Sequence, residues 1–209
     1  KMTKNLINTF RVSKIFLTLI FVLLVSCDQS KVNVKKDEEV TVKVFSSLTC
    51  PHCADFHEKV TIELKKEYVD TNRVKFEHRA FPLDLAALNA EKILNCFTET
   101  EKRFSFLNQI YKKQKKWALG SDINVINDSI KKIGREFGLN DKNMNQCLAD
   151  KEIEDKILDE RIDAQKKYKI SSTPTIYINE KKYEGKHEYK SFKKELDKSL
   201  TSSNDAYSY

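Results

Sequence analysis

Residues 40–45 (Val-Thr-Val-Lys-Val-Phe) alternate apolar and polar positions in a β-branched run, which predicts a strand. Farther on, Phe56, Val60 and Leu64 recur every fourth residue among charged neighbours. That spacing predicts an amphipathic helix ending near Tyr68. Residues 73–81 read as a second strand. From 83 to 168 no segment has convincing strand character. Apolar residues there fall at helical spacing: Leu85, Leu88 and Ile93; Phe104, Leu107 and Tyr111; Ile123, Ile126, Ile130, Ile133 and Phe137; Ile153, Ile157 and Leu158. These stripes are read as core, with Gly138 as a helix stop and Asn140 or Asp141 as the next start. Strand character returns at 175–179. A turn, a short strand at 182–184 and a last helix with Tyr189, Phe192, Leu196 and Leu200 on one face follow. Residues 202–209 read as a frayed tail.

The predicted order is strand, helix, strand, a long helical block, strand, strand, helix. A small α/β unit, 40–82 plus 169–200, is thus split by a helical insertion at 83–168. Only 4 Gly and 3 Pro in 209 residues argue against a loop-rich chain, and a hydrophobic content of 40% is enough for a core.

The N-terminal segment changes the reading of the charge. Lys1, Lys4, Arg11 and Lys14 precede an apolar run from Ile15 to Val25 that is too short for a comfortable membrane span of about 20 residues. Residues 1–26 therefore read as a secretory signal peptide. Setting those four cations aside takes the formal charge from +7 to +3. The remaining charges are Lys and Glu interleaved on helix faces, so no nucleic-acid surface is expected. The run ends in Leu24-Val25-Ser26-Cys27, which resembles a bacterial lipoprotein box with Cys27 as the acylated residue. A plain cleaved signal and an uncleaved anchor are the other readings of that cysteine. Residues 27–39 read as a short polar tether, placing the folded part in the periplasm, anchored at the inner membrane.

The candidate chemistry lies in Cys50-Pro51-His52-Cys53, directly between the first strand and the first helix. Two cysteines three apart at a helix start can close a small disulfide and exchange it with other thiols. Unpaired N–H groups and aligned peptide dipoles at that helix end favour an anionic Cys50 sulfur. His52 can add a hydrogen bond or positive charge, and Pro51 suits the first helical position. Cys53, one turn in, is the deeper, resolving thiol. A stabilised Cys50 thiolate makes the pair an oxidant. Pro174 opens the third strand, where it can face the pair, and a cis Thr173–Pro174 bond would leave the Thr173 backbone free to pair with an extended substrate. Cys96 and Cys147 remain; in an oxidising compartment they either bridge two helices or sit apart as buried hydrophobes.

These motifs resemble the DsbA-like branch of the thioredoxin superfamily, α-proteobacterial type. The resemblance rests on Ser47-Leu48-Thr49-Cys50-Pro51-His52-Cys53-Ala54 with Phe56-His57, and on Phe81-Pro82-Leu83-Asp84. It rests equally on Gln114-Lys115-Lys116-Trp117, Gln146-Cys147-Leu148-Ala149-Asp150 and Thr173-Pro174-Thr175. It covers about residues 40–200. It implies an α/β thioredoxin fold with an inserted helical domain, and a Cys96–Cys147 bridge within the insertion. It further implies a monomeric thiol:disulfide oxidoreductase that oxidises cysteines of exported proteins, needs no metal or organic cofactor, and is reoxidised by a DsbB-type membrane partner. Relatives carry a buried acid six residues before the first active cysteine; here that position is Val44. His57 could stand in for it, although a surface position on the helix is the expectation. A reductase or isomerase would use the same residues. A copper-binding chaperone is the rival of another class, and a zinc site lacks a second ligand pair of suitable spacing.

Overall fold

The computed structural model describes residues 39–205. The expected signal segment 1–26, Cys27 and all but the last residue of the 27–39 tether lie outside them. Four strands form one mixed sheet in the order β2-β1-β3-β4: β1 (Val40–Ser46), β2 (Val74–Ala80), β3 (Thr175–Ile178) and β4 (Lys181–Lys182). β2 runs parallel to β1, whereas β3 is antiparallel to β1 and to β4. The alternation in β1 sends Val40, Val42 and Val44 to one face. They pack there with Phe56, Val60, Leu64 and Tyr68 of the first helix and Phe192 and Leu196 of the last. Phe45 points to the other face and joins Phe81, Ala164, Ile170 and Tyr177.

Helix α1 opens at Pro51–Phe56 and continues unbroken through a π segment (His57–Thr61), an α turn (Ile62–Leu64) and a second π segment (Lys65–Val69). The sequence explains this winding. A stripe repeating every four residues overshoots a 3.6-residue turn by about 40° per repeat. Wider π turns absorb the excess, and Phe56, Val60, Leu64 and Tyr68 all stay at 0–1% exposure.

Between β2 and β3 the described chain is wholly helix and loop: α2 (Leu85–Leu94), α3 (Thr100–Lys112), α4 (Gln114–Trp117), α5 (Ile123–Glu136), α6 (Asp141–Ala149) and α7 (Lys151–Lys167). Asp84, Asp122, Asn140 and Asp150 accept backbone N–H bonds at the starts of α2, α5, α6 and α7. These helices build their own core around Ile93, Phe106, Ile110, Trp117, Ile130 and Met144, and that core also contains Leu48, Cys50 and Cys53. The redox tetrapeptide therefore lies where the helical block meets the start of α1.

Two expectations need correction. Leu85 is 55% exposed, and Ala87 and Ala90 hold the buried face of α2 instead. Its first turn is drawn toward the Cys50 loop by Asp84, which accepts a hydrogen bond from Thr49 (2.7 Å). The last helix, α8 (Tyr189–Asp205), also runs into the segment expected to fray. Leu200 packs on the core, and the Thr201 and Ser202 hydroxyls donate to the Asp197 and Lys198 carbonyls one turn back.

Candidate active site

Cys50 is the N-cap of α1, with extended backbone (φ −77°, ψ 120°), and Pro51 follows as the first helical residue. The Cys50 carbonyl accepts from the N–H groups of Cys53 (3.1 Å) and Ala54 (3.2 Å), closing the first turn over the pair. Gln114, 5% exposed, donates its side-chain N–H to the Leu48 and Cys50 carbonyls at 2.8 and 3.0 Å. It thereby ties the active loop to the helical block. Gln114→Ala should cost about 1–3 kcal/mol for the buried Leu48 carbonyl it leaves unpaired, measurable by denaturant unfolding; the Cys50 carbonyl keeps its bonds from Cys53 and Ala54. The sequence flagged Gln114 only as part of a motif and gave it no role.

The two sulfurs differ sharply. Cys50 is 8% and Cys53 2% exposed, and both are free thiols. The Cys50 pKa is lowered to about 5, chiefly by a hydrogen bond from the Cys53 thiol. The Thr173 side chain and the backbone N–H groups of Cys53 and His52 add to it, against the opposing cost of burial. Burial pushes the Cys53 thiol far up, and the neighbouring Cys50 charge adds to that. His52 acts on the thiolate through its backbone N–H, not through the imidazole proposed from sequence; its ring is exposed. The His52 charge instead helps depress the pKa of His187, after burial. His187 also packs edge-on to Phe56 at 5.2 Å. No sequence motif pointed to His187, which lies 134 positions beyond Cys53.

The Thr173–Pro174 peptide bond is cis. The Cys50 thiol donates to the Thr173 carbonyl at 3.4 Å, so the loop faces the pair. Cys96 and Cys147 form a disulfide (S–S 2.07 Å, Cα–Cα 6.1 Å) joining the end of α2 to α6. It does not touch the redox pair's chemistry directly.

His57 is not on the surface. It is 3% exposed, with its ring 4.9 Å from that of Tyr111 and 5.6 Å from that of Phe104. Burial first, and the nearby His78 charge second, push its pKa down to about 3, so it stands neutral at neutral pH. The aromatic wall that buries it comes from α3, about 50 positions away, which helix periodicity alone does not reveal. Val44 pairs in register with His78 of β2.

Known proteins agree with this arrangement. The family model described as "Thioredoxin" matches residues 35–198. Among solved structures, Wolbachia pipientis α-DsbA1 is 29% identical with a TM-score of 0.72, over 80% of this chain and 89% of that one. Oxidised BdbD from Bacillus subtilis shares the fold at a TM-score of 0.69 and 20% identity, covering 79% of this chain and 90% of that one. Disulfide bond formation protein D of Bacillus subtilis is 26% identical, over 79% of this chain and 75% of that protein. A Rickettsia typhi relative carrying a provisional protein-disulfide oxidoreductase name is 30% identical, over 69% of this chain and 52% of its own length. The chain spans about half the length of such rickettsial relatives. With a Cys-x-x-Cys at the start of α1, a cis-proline facing it and a family match over residues 35–198, the chain belongs to the thioredoxin family and is DsbA-like.

Proposed function

We propose that this protein is a thiol:disulfide oxidoreductase that oxidises cysteines of exported proteins. The observation that carries the reading is the opposed tuning of the pair: Cys50 held as thiolate, Cys53 held as thiol. A substrate thiolate attacks Cys50 sulfur in the disulfide form, and the S–S electron pair leaves on Cys53, which takes up a proton. A second substrate thiolate then attacks the substrate sulfur of the mixed disulfide. Cys50 departs as its stabilised thiolate, so the substrate has lost two electrons and the pair has gained them. Pro51 shapes the helix start and the His52 N–H helps hold the anion. The Thr173-Pro174 loop is the docking backbone for an extended substrate. Exposed Leu83 and Leu85, at 50% and 55%, flank Asp84 beside the Cys50 loop. They offer apolar surface to an unfolded chain.

In this reading the protein works as a monomer in the periplasm, held at the inner membrane through Cys27. A DsbB-type membrane partner reoxidises the pair. No described helix is long and apolar enough to cross a membrane. No metal or organic cofactor enters the scheme. Among the described residues, no three His, Cys, Asp or Glu side chains stand together as ion ligands.

A reductase or isomerase would use the same atoms, and the potential separates them. Thioredoxin (thiol pKa ~7, about −270 mV) and DsbA (~3.5, about −120 mV) serve as reference points. At about 30 mV per pKa unit, a Cys50 pKa of about 5 interpolates to roughly −210 to −160 mV. A glutathione equilibrium should return a value in that range. A potential at thioredoxin's level would overturn the oxidase direction.

A further inference from the structure

A run of hydrogen-bonded buried side chains leads from a solvent cleft into the core that holds Cys53, and the exchange scheme above leaves it unused. Glu91 of α2 is 0% exposed, with Oε1 2.7 Å from His78 Nε2 and Oε2 buried without a hydrogen-bond partner. His78 Nδ1 is 3.2 Å from Ser46 Oγ at the end of β1. The Tyr111 hydroxyl of α3 donates to that same Ser46 oxygen at 3.1 Å. Tyr111 and Cys53 share one packed core. Complete burial holds Tyr111 protonated, well above its ordinary range, and a Cys53 thiolate is the charge that adds most to the effect. At the other end, His78 lines a cleft of about 400 Å³ between β2 and α3.

Packing does not require such a chain. A buried ionisable pair generally loses more in desolvation than it gains, and apolar residues of similar volume often do as well or better. Cys53 does need a proton route. It leaves as a thiolate and must end as a thiol, in a place that bulk water barely reaches (2% exposed).

We propose that Glu91, His78, Ser46 and Tyr111 form a proton relay between the cleft and Cys53, serving the step at which Cys53 leaves or attacks. The proposal rests on the Cys50/Cys53 pair exchanging disulfides, in either direction. When the S–S bond breaks, the Tyr111 O–H proton passes to Cys53 sulfur and the Ser46 proton passes to Tyr111 oxygen. His78 Nδ1–H resupplies Ser46, and Glu91 protonates His78 Nε2. The net change is one proton moved from a Glu91 carboxyl to the Cys53 thiolate; its return from water in the cleft requires the His78 ring to turn, because both ring nitrogens are engaged inward. When Cys53 attacks a mixed disulfide on Cys50, every transfer runs backwards, and Glu91 ends protonated. The observed hydrogen bond, with Tyr111 donating toward Ser46, is the polarity that accepts a proton from Cys53. His78 is faced by His57 from α1, and Arg103 and Glu160 line the cleft with it; Glu77 and Arg79 flank it on β2. Lys92, beside Glu91, is engaged by Glu154 at 2.7 Å.

These are positioning groups that act through Tyr111 on Cys53, and the two chemical phases separate their role from a structural one. Reduced protein mixed with oxidised glutathione first forms a Cys50–glutathione disulfide, which needs only Cys50. Cys53 then attacks and expels glutathione, which needs Cys53 to lose its proton. Tyr111→Phe and Glu91→Gln should each slow the second phase by about 10²-fold near neutral pH, the low end for positioned acid–base groups. The first phase and the Cys50 thiolate titration should stay unchanged. The double variant should be no slower than either single one, as a serial relay requires. Tyr111→Phe removes only one hydroxyl, so it carries the test should Glu91→Gln fail to fold. A second phase at the wild-type rate in Tyr111→Phe, or equal slowing of both phases, overturns the relay. A thioredoxin-like potential would reverse the oxidase reading but leave these rates as they are.

Discussion

Reduced protein should unfold at a higher temperature than oxidised protein at neutral pH, and the gap should close as the pH falls to about 5. The Cys50 thiol has its pKa depressed in the folded reduced state from 9.0 to about 5. A group with a depressed folded pKa contributes stability that is fully present above its unfolded value. That contribution is lost as the pH drops through the folded value. Between those limits the slope is at most about 1.4 kcal/mol per pH unit. At pH 7, two units above the folded value, the unscreened contribution is about 2.7 kcal/mol, and solvent screening at Cys50 trims it to roughly 1–2 kcal/mol. For a domain of this size that is several degrees, at about 2–4 °C per kcal/mol. The oxidised protein has no Cys50 thiolate and lacks the contribution altogether. Cys53, its pKa raised, stays protonated across the window and adds no slope there. Paired thermal scans of the two redox forms from pH 4 to 8 check the expectation, and a gap that ignores pH would remove the electrostatic basis of the oxidase reading.

Removing the second disulfide should cost the fold more. The Cys96–Cys147 bond closes a loop with a sequence separation of 51. The chain-entropy relation for a loop of that length gives about 4 kcal/mol. A Cys96→Ala/Cys147→Ala protein should therefore melt roughly 10 °C lower. Its Cys50 titration should hold, because the groups that lower that pKa lie on α1 and the Thr173 loop. Chemical denaturation read alongside thiolate absorbance separates the two outcomes. A loss below about 1 kcal/mol would mean that packing alone holds α2 against α6 and α5, for example where Ile93 and Met144 close over Gly134.

What the sequence shows, and what it hides, follows from the range of each signal. The β1 alternation and the four-residue stripe of α1 are local, and both elements form where those patterns lie. Cys50, Cys53 and Pro174 are legible because the chemistry demands those residue types at fixed points in the strand order. His57, Glu91 and Lys92 are not, because all three look like ordinary polar positions on exposed helix faces. His57 is buried by Phe104 and Tyr111 of a later helix. Glu91 is buried beside His78 of the preceding strand, and Lys92 meets Glu154 across 62 positions. Whether a titratable side chain is covered depends on partners the local pattern cannot name. The same holds for Leu85, where period predicts burial and the pull of Asp84 toward the Cys50 loop leaves the side chain in water.

The covalent tie between α2 and α6 also bears on how working copies arise. A newly made chain holds four thiols in its folded region, and two of them must be joined before the helical block gains its full rigidity. Under the proposed function, each nascent molecule is a client of the activity it will later perform. Maturation would then speed up as finished molecules accumulate, and a cell depleted of them would recover only after a lag.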